Sequence, residues 1–234
     1  CRIAFEEAEK GKTVSMICSG DAGVYGMAGL MYEVGVDYPD TELEIIPGVT
    51  AASSGAAVLG APLIHDFCLI SLSDLLTPWE KIENRILGAS QADFVICLYN
   101  PSSHKRRDYL QKACDLMLRY KSPETVCGTV SRIGREGEEA RVMTLKELRD
   151  TEVDMFTTVF VGNSQTKEIN GKMVTPRGYR NVYSDRVCRN DGRMRDQPLS
   201  CRTSSFCMRL CGDRIRDKIV KRGNLSPHQK RAYG

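Results

Sequence analysis

By Gly60 the chain has passed twice from a β-branched, apolar run through a glycine turn into a helix of small residues. Residues 13–18 lead through Ser19, Gly20 and Asp21 to the helical spacing of residues 27–34. Residues 43–46 lead through Pro47 and Gly48 to a second helix over 51–59. The spacing predicts strands over 13–18 and 43–46, each followed by a helix, an order that calls for parallel strands with crossover helices. In such sheets ligands lie outside the carboxyl ends of the strands, where Ser19, Gly20 and Asp21 fall. Gly20 and Gly23 let a backbone approach a ligand closely, and N–H groups at a helix start can hold a carboxylate. An ordinary strand-to-helix turn, with Asp21 as its N-cap, accounts for the same residues.

The pattern restarts after His65. Residues 68–72, 94–98, 125–130, 140–143 and 157–161 read as strands. Residues 78–87, 102–120 and 145–149 read as helices, the first with Thr77 as cap and Pro78 in its first turn. Residues 2–10 read as a helix stopped by Gly11. The expected organisation is a remainder of an amino-terminal α/β domain over 1–65 and a second α/β domain over 66–179. A tail over 180–234 has no periodicity and is expected to lack regular structure.

Charge divides the chain near the same place. Residues 177–234 hold fifteen Lys and Arg against five Asp and Glu, whereas the preceding body carries net negative charge. Such a tail can bind nucleic acid non-specifically, but no motif marks a specific nucleic-acid site. Six of the ten cysteines are scattered through the body, and Cys18, Cys68 and Cys97 lie in apolar runs, as reduced thiols of a cytoplasmic protein do. Cys188, Cys201, Cys207 and Cys211 match neither zinc nor ferredoxin spacing, so no metal site is expected. No apolar run approaches the roughly 18 residues of a membrane span.

Several segments together resemble one family. They are Ser19-Gly-Asp21 with Tyr25-Gly-Met-Ala-Gly-Leu30, Pro47-Gly-Val-Thr-Ala51, Pro62-Leu-Ile-His-Asp-Phe67, Ser71-Leu-Ser-Asp-Leu-Leu-Thr-Pro-Trp79, Leu98-Tyr-Asn-Pro101 and Thr157-Thr-Val-Phe-Val-Gly-Asn-Ser164. Their order and spacing resemble the tetrapyrrole (corrin/porphyrin) methylases of vitamin B12 biosynthesis. The Leu-Ser-Asp-Leu-Leu-Thr-Pro-Trp and Gly-Asn-Ser-Gln-Thr segments are similar to the C17-methyltransferase subgroup. The resemblance implies a two-domain α/β fold with S-adenosyl-L-methionine in the cleft and a tetrapyrrole, precorrin-3B or cobalt-factor III, beside it. It also implies methyl transfer to C17 with ring contraction, a homodimer and a cytoplasmic location. Members of the family open with a strand and a Gly-x-Gly-Pro-Gly loop that have no counterpart here. The first domain is therefore expected to be truncated at its amino terminus.

Carried onto this sequence, the resemblance implies cofactor contacts from Ser19, Gly20, Asp21 and Tyr25 at the first turn. It adds Thr50 and Ala51 at the second, Tyr99 and Asn100 after the 94–98 strand, and Gly162, Asn163 and Ser164 after the last strand. Ring contraction needs proton transfers. His65, Asp66, Ser73 and Asp74 are the catalytic candidates, being expected where the domains meet. Arg106, Arg132 and Arg135 are candidates for pairing with substrate carboxylates. Alternatives are a tetrapyrrole methylase acting on C11 or C20, and a non-catalytic fragment of the family.

Overall fold

The computed structural model describes residues 1–103 and 106–178, so the tail with Cys188, Cys201, Cys207 and Cys211 lies outside the described residues. In chain order the elements begin with helices α1 (Arg2–Glu9), α2 (Ala28–Gly35) and α3 (Ala51–Leu59), strand β1 (Gly60–Ala61) and a single 3-10 turn (Pro62–Ile64). They continue with β2 (Phe67–Ser71), α4 (Trp79–Gln91), β3 (Val95–Tyr99), α5 (Tyr109–Met117), β4 (Val126–Ser131) and β5 (Glu139–Thr144). Helix α6 (Leu145–Arg149), β6 (Thr157–Val161), β7 (Lys167–Ile169) and β8 (Lys172–Val174) complete the set.

The apolar runs after residue 66 build a five-stranded sheet in the order β2-β3-β6-β4-β5. Strands β2 and β3 are parallel, with Phe67 opposite Val95 and Ser71 opposite Tyr99. The β3–β6, β6–β4 and β4–β5 pairs are antiparallel, so β2–β3 is the one parallel pair of this sheet. Strand side chains alternate between faces. Ile96, Leu98, Val159 and Val161 join Ile82 and Ile86 of α4, Leu110, Cys114 and Met117 of α5, and Leu145 and Leu148 of α6. Full burial of Ile82 and Ile86 contributes about 2 kcal/mol each. On the other face Cys97 and Phe160 pack with Ala52, Ala56 and Leu59 of α3. Helix α3 comes close because it carries Gly55, where a Cβ would lie 3.0 Å from the Phe160 ring.

A small second sheet, β1-β8-β7, was not legible from the sequence. Gly60 ends α3 at φ +135°, a conformation that favours glycine, and β1 then pairs in parallel with β8. This pairing and the α3 contacts join residues on both sides of the expected boundary near His65.

Two predicted strands do not form. Residues 13–18 and 43–46 belong to no ladder, because neither run meets another extended backbone at pairing distance. β-propensity is realised only against a paired neighbour. The helix predicted over 102–120 contracts to Tyr109–Met117, and α4 extends past the predicted end to Gln91. Cys97, Cys114 and Cys127 are buried free thiols, whereas Cys18 and Cys68 are half-buried. Among the described residues, no helix is long and apolar enough to cross a membrane, and no group of three or more His, Cys, Asp or Glu is placed to hold a metal.

Candidate active site

Asp21 ties the two glycine turns together. Its Oδ1 accepts the N–H groups of Gly23 (2.8 Å) and Val24 (3.1 Å), and its Oδ2 accepts the Gly48 N–H at 2.8 Å. The Gly48 bond, followed by that from Gly23, holds the carboxyl below its ordinary range. The turns touch so closely that a Cβ on Gly48 would lie 2.0 Å from the Gly20 carbonyl oxygen, and Gly20 itself has φ +79°. Ser19 and Gly20 are exposed beside this clamp. A carboxylate offers about four lone-pair directions. Three are taken here, which leaves one for a ligand hydroxyl or ammonium.

Tyr25 and Tyr99 carry the clamp to the ends of β2 and β3. Tyr25, held at φ 52°, donates its hydroxyl to the Leu69 carbonyl at 2.9 Å and packs on Tyr99 with ring centroids 5.0 Å apart. The Tyr99 hydroxyl accepts the Ala52 N–H at 2.8 Å and pairs with Thr50 Oγ1 at 2.5 Å. Thr50 is the N-cap of α3 but makes no side-chain cap, so Tyr99 satisfies an N–H that the helix start leaves free. Burial raises the pKa of both tyrosines. Ala51, next to this bond, is half-buried. Asn100 also has φ 52°, and its Nδ2 donates to Ser71 Oγ at 2.9 Å. Positive φ at two non-glycine residues flanking one tyrosine is backbone strain of the kind found at functional sites. The structure thus brings Asp21, Tyr25, Thr50, Ala51, Tyr99 and Asn100 to the carboxyl ends of β2 and β3.

Gly162, Asn163 and Ser164 do not join them. Strand β6 is antiparallel to β3 with Val161 opposite Ile96, so these residues lie at the amino end of β3. Their N–H groups are also engaged: Gly162 donates to Val126 O, Asn163 to Thr166 Oγ1 and Ser164 to Asp93 Oδ1. No backbone N–H of the trio remains for a ligand. The turn instead supports buried Lys121, whose Nζ donates to the carbonyls of Gly162 (2.9 Å) and Phe94 (3.0 Å) and lies 3.7 Å from Asp93.

The four acid–base candidates also separate. His65 and Asp66 precede β2, whereas Ser73 and Asp74 follow its carboxyl end, about 16 Å away along the strand. Ser73 and Asp74 therefore share an end with Tyr99 and Asn100. The Ser73 N–H reaches Ser71 Oγ at 3.2 Å, and Asp74 Oδ2 accepts the Tyr109 hydroxyl at 2.6 Å. That bond raises the Tyr109 pKa. Arg106 donates to the Leu72 carbonyl (3.2 Å) and Ser103 Oγ (3.1 Å) and lies 3.7 Å from Asp74. Of the other arginines, Arg132 stands at φ 52° after β4 and Arg135 lies over the Phe156 ring. Sequence reasoning missed Ser71 and Tyr109 as partners. Ser71 opens the quoted Ser71–Trp79 segment, the one signal that pointed to it.

Known proteins are similar to this chain over most of the described residues. A model of the Tetrapyrrole (Corrin/Porphyrin) Methylases matches residues 1–149. A probable cobalt-factor III C(17)-methyltransferase of Salmonella typhimurium is 52% identical over 76% of this chain and 75% of its own length. The cobalt-factor III methyltransferase of Priestia megaterium is 50% identical over 77% of this chain, a match that spans 34% of that longer protein. Among solved structures, the methyltransferase CobJ superposes with a TM-score of 0.69 at 34% identity, covering 75% of this chain and 74% of its own.

Proposed function

Since the chain belongs to the tetrapyrrole (corrin/porphyrin) methylase family, we propose that it serves methyl transfer from S-adenosyl-L-methionine to C17 of a tetrapyrrole such as cobalt-factor III, with contraction of the ring. The observation that carries this reading is the Asp21–Tyr25–Thr50–Tyr99–Asn100 cluster at one end of the sheet. The donor set fits the cofactor. The remaining lone pair of Asp21 suits a ribose hydroxyl or the ammonium group, and negative charge there favours a cationic ligand. Bound there, the cofactor supplies a methyl group on a sulfonium, open to in-line displacement by an electron-rich ring carbon.

The protein's part is then chiefly orientation, because such a displacement gains most from holding the reacting atoms in line. The packed Tyr25–Tyr99 rings offer an apolar face beside the clamp, and the Asn100–Ser71 bond fixes the strand-end turn beside it. Ser73 and Asp74 stand at the same end. Asp74, already hydrogen-bonded to Tyr109, is the group we favour for handling a proton during ring contraction. His65 and Asp66 are too distant to share that role. Exposed Leu75 and Leu76 suit the face of a macrocycle.

Incubation with cobalt-factor III and S-adenosylmethionine carrying a labelled methyl group tests the reading. Label at C17 supports it. Label at C11 or C20 points to another member of the family, and no transfer by the folded chain overturns it.

A further inference from the structure

The loop that joins β2 to α4 carries Leu75 and Leu76 at its head, 83% and 94% exposed. Two adjacent leucines left in water make an apolar spot that a ligand stabilises by covering it. Among the described residues, no backbone hydrogen bond involves Leu75, Leu76 or Thr77. A segment without bonds of its own opens easily, so its position depends on what holds its two feet. Both feet rest on one residue of α5. At the near foot Asp74 Oδ2 accepts the Tyr109 hydroxyl at 2.6 Å, and at the far foot Trp79 packs on the Tyr109 ring with centroids 4.6 Å apart. Tyr109 is itself fixed, since it opens α5 and its neighbour Leu110 is buried in the core.

Arg106 steadies the near foot. Its Nε lies 3.7 Å from Asp74 Oδ1, its Nη1 donates to the Leu72 carbonyl, and its guanidinium stands 5.9 Å from the Tyr109 ring centroid. The hydrogen bonds that tie Asp21, Tyr25, Thr50 and Tyr99 together involve neither Tyr109 nor residues 74–79. We infer that Tyr109 is a positioning residue for the tetrapyrrole: its hydroxyl and its ring together set the 74–79 loop, and with it the Asp74 carboxylate and the Leu75–Leu76 pair. This role rests on Asp74 handling a proton and on the two leucines meeting the macrocycle. A carboxylate released from its hydroxyl partner swings with the loop, and a misplacement of about 1 Å at a reacting group costs up to about a hundredfold in rate. Cofactor binding, held by the separate Asp21–Tyr99 cluster, is untouched by that release.

Two variants of the full chain test this. Tyr109→Phe keeps the ring on Trp79 and removes only the hydroxyl, whereas Asp74→Asn keeps an oxygen that accepts it. Limited chymotrypsin digestion, read by mass spectrometry, is expected to cut after Leu75 or Leu76 about tenfold faster in Tyr109→Phe than in the parent or Asp74→Asn. Cleavage after Phe156, itself exposed, is expected to keep its rate in all three, which separates release of the loop from general loosening. With cobalt-factor III and S-adenosylmethionine, kcat of Tyr109→Phe is expected to fall about tenfold or more, while S-adenosylhomocysteine binds as in the parent. A parental cleavage rate in Tyr109→Phe overturns the pin. Faster cleavage with unchanged turnover overturns the positioning role, and so does a matching loss of S-adenosylhomocysteine binding. A parent chain that binds S-adenosylhomocysteine but transfers no methyl group removes the methyltransferase reading and this role with it, whereas the cleavage rates still decide the pin.

Discussion

The Tyr99 hydroxyl receives the Ala52 N–H at 2.8 Å, so a residue ending β3 caps the start of α3. One hydroxyl thereby joins the sheet to the helix that follows the second glycine turn, and shares its other bond with Thr50.

Tyr99→Phe keeps the ring against Tyr25 but leaves the Ala52 N–H without its partner. Loss of the two half-buried hydrogen bonds, to Ala52 and to Thr50, costs about 2 kcal/mol. Thermal unfolding is expected to show that loss. Calorimetric titration of the same variant with S-adenosylhomocysteine is expected to show weaker binding, through the displaced Thr50.

Asp21→Asn preserves an acceptor for Gly23 and Val24 but turns an amide donor toward the Gly48 N–H. The clamp opens while the first turn persists. Solvent exchange of the Gly48 amide is expected to speed up, with little change at β3 or β6.

Acid acts on the same clamp. The folded-state pKa of Asp21 lies below its unfolded value of about 3.9. Its contribution to stability is therefore complete above the unfolded value and disappears as pH falls through the folded one. Melting temperatures from pH 6 to pH 2 are expected to fall more steeply for the parent chain than for Asp21→Asn below about pH 4.

Lys121→Met strips the half-buried carbonyl of Phe94 and the buried one of Gly162 of their shared donor. Denaturant unfolding is expected to show a loss of about 2 kcal/mol. Burial lowers the folded pKa of Lys121, against the pull of Asp93. Between that value and the unfolded one near 10.4 the unfolded chain binds more protons, so stability gains from this site as pH rises. The variant is expected to lack that alkaline gain.

Asp74→Asn and His65→Gln separate the two ends of β2. Asp74→Asn is expected to reduce turnover of a tetrapyrrole substrate by about a hundredfold while S-adenosylhomocysteine still binds. His65→Gln, at the far end, is expected to leave both unchanged. Equal losses from the two variants would contradict the placement of proton handling at the Asp74 end.

The order of elements was legible where local pattern and packing agree. The 157–161 run, the 51–59 helix and the 145–149 helix with its Thr144–Glu147 capping box all have bounds set within a few residues of themselves. Asp21 stood out because a glycine turn leaves a short-range mark, whereas Tyr25, Thr50 and Tyr99 were marked by the motifs that resemble the family. Local pattern could not tell that residues 13–18 and 43–46 stay unpaired, since strand formation depends on a partner distant in sequence. Nor could it tell that Gly162, Asn163 and Ser164 stand at the far end of the sheet from Tyr99. Strand direction decides that, and β6 enters antiparallel to β3. Composition thus determined which stretches are apolar, which turns need glycine and which charges are segregated in the tail. Only tertiary structure decided which backbone groups meet across the sheet, because each such bond joins residues tens of positions apart.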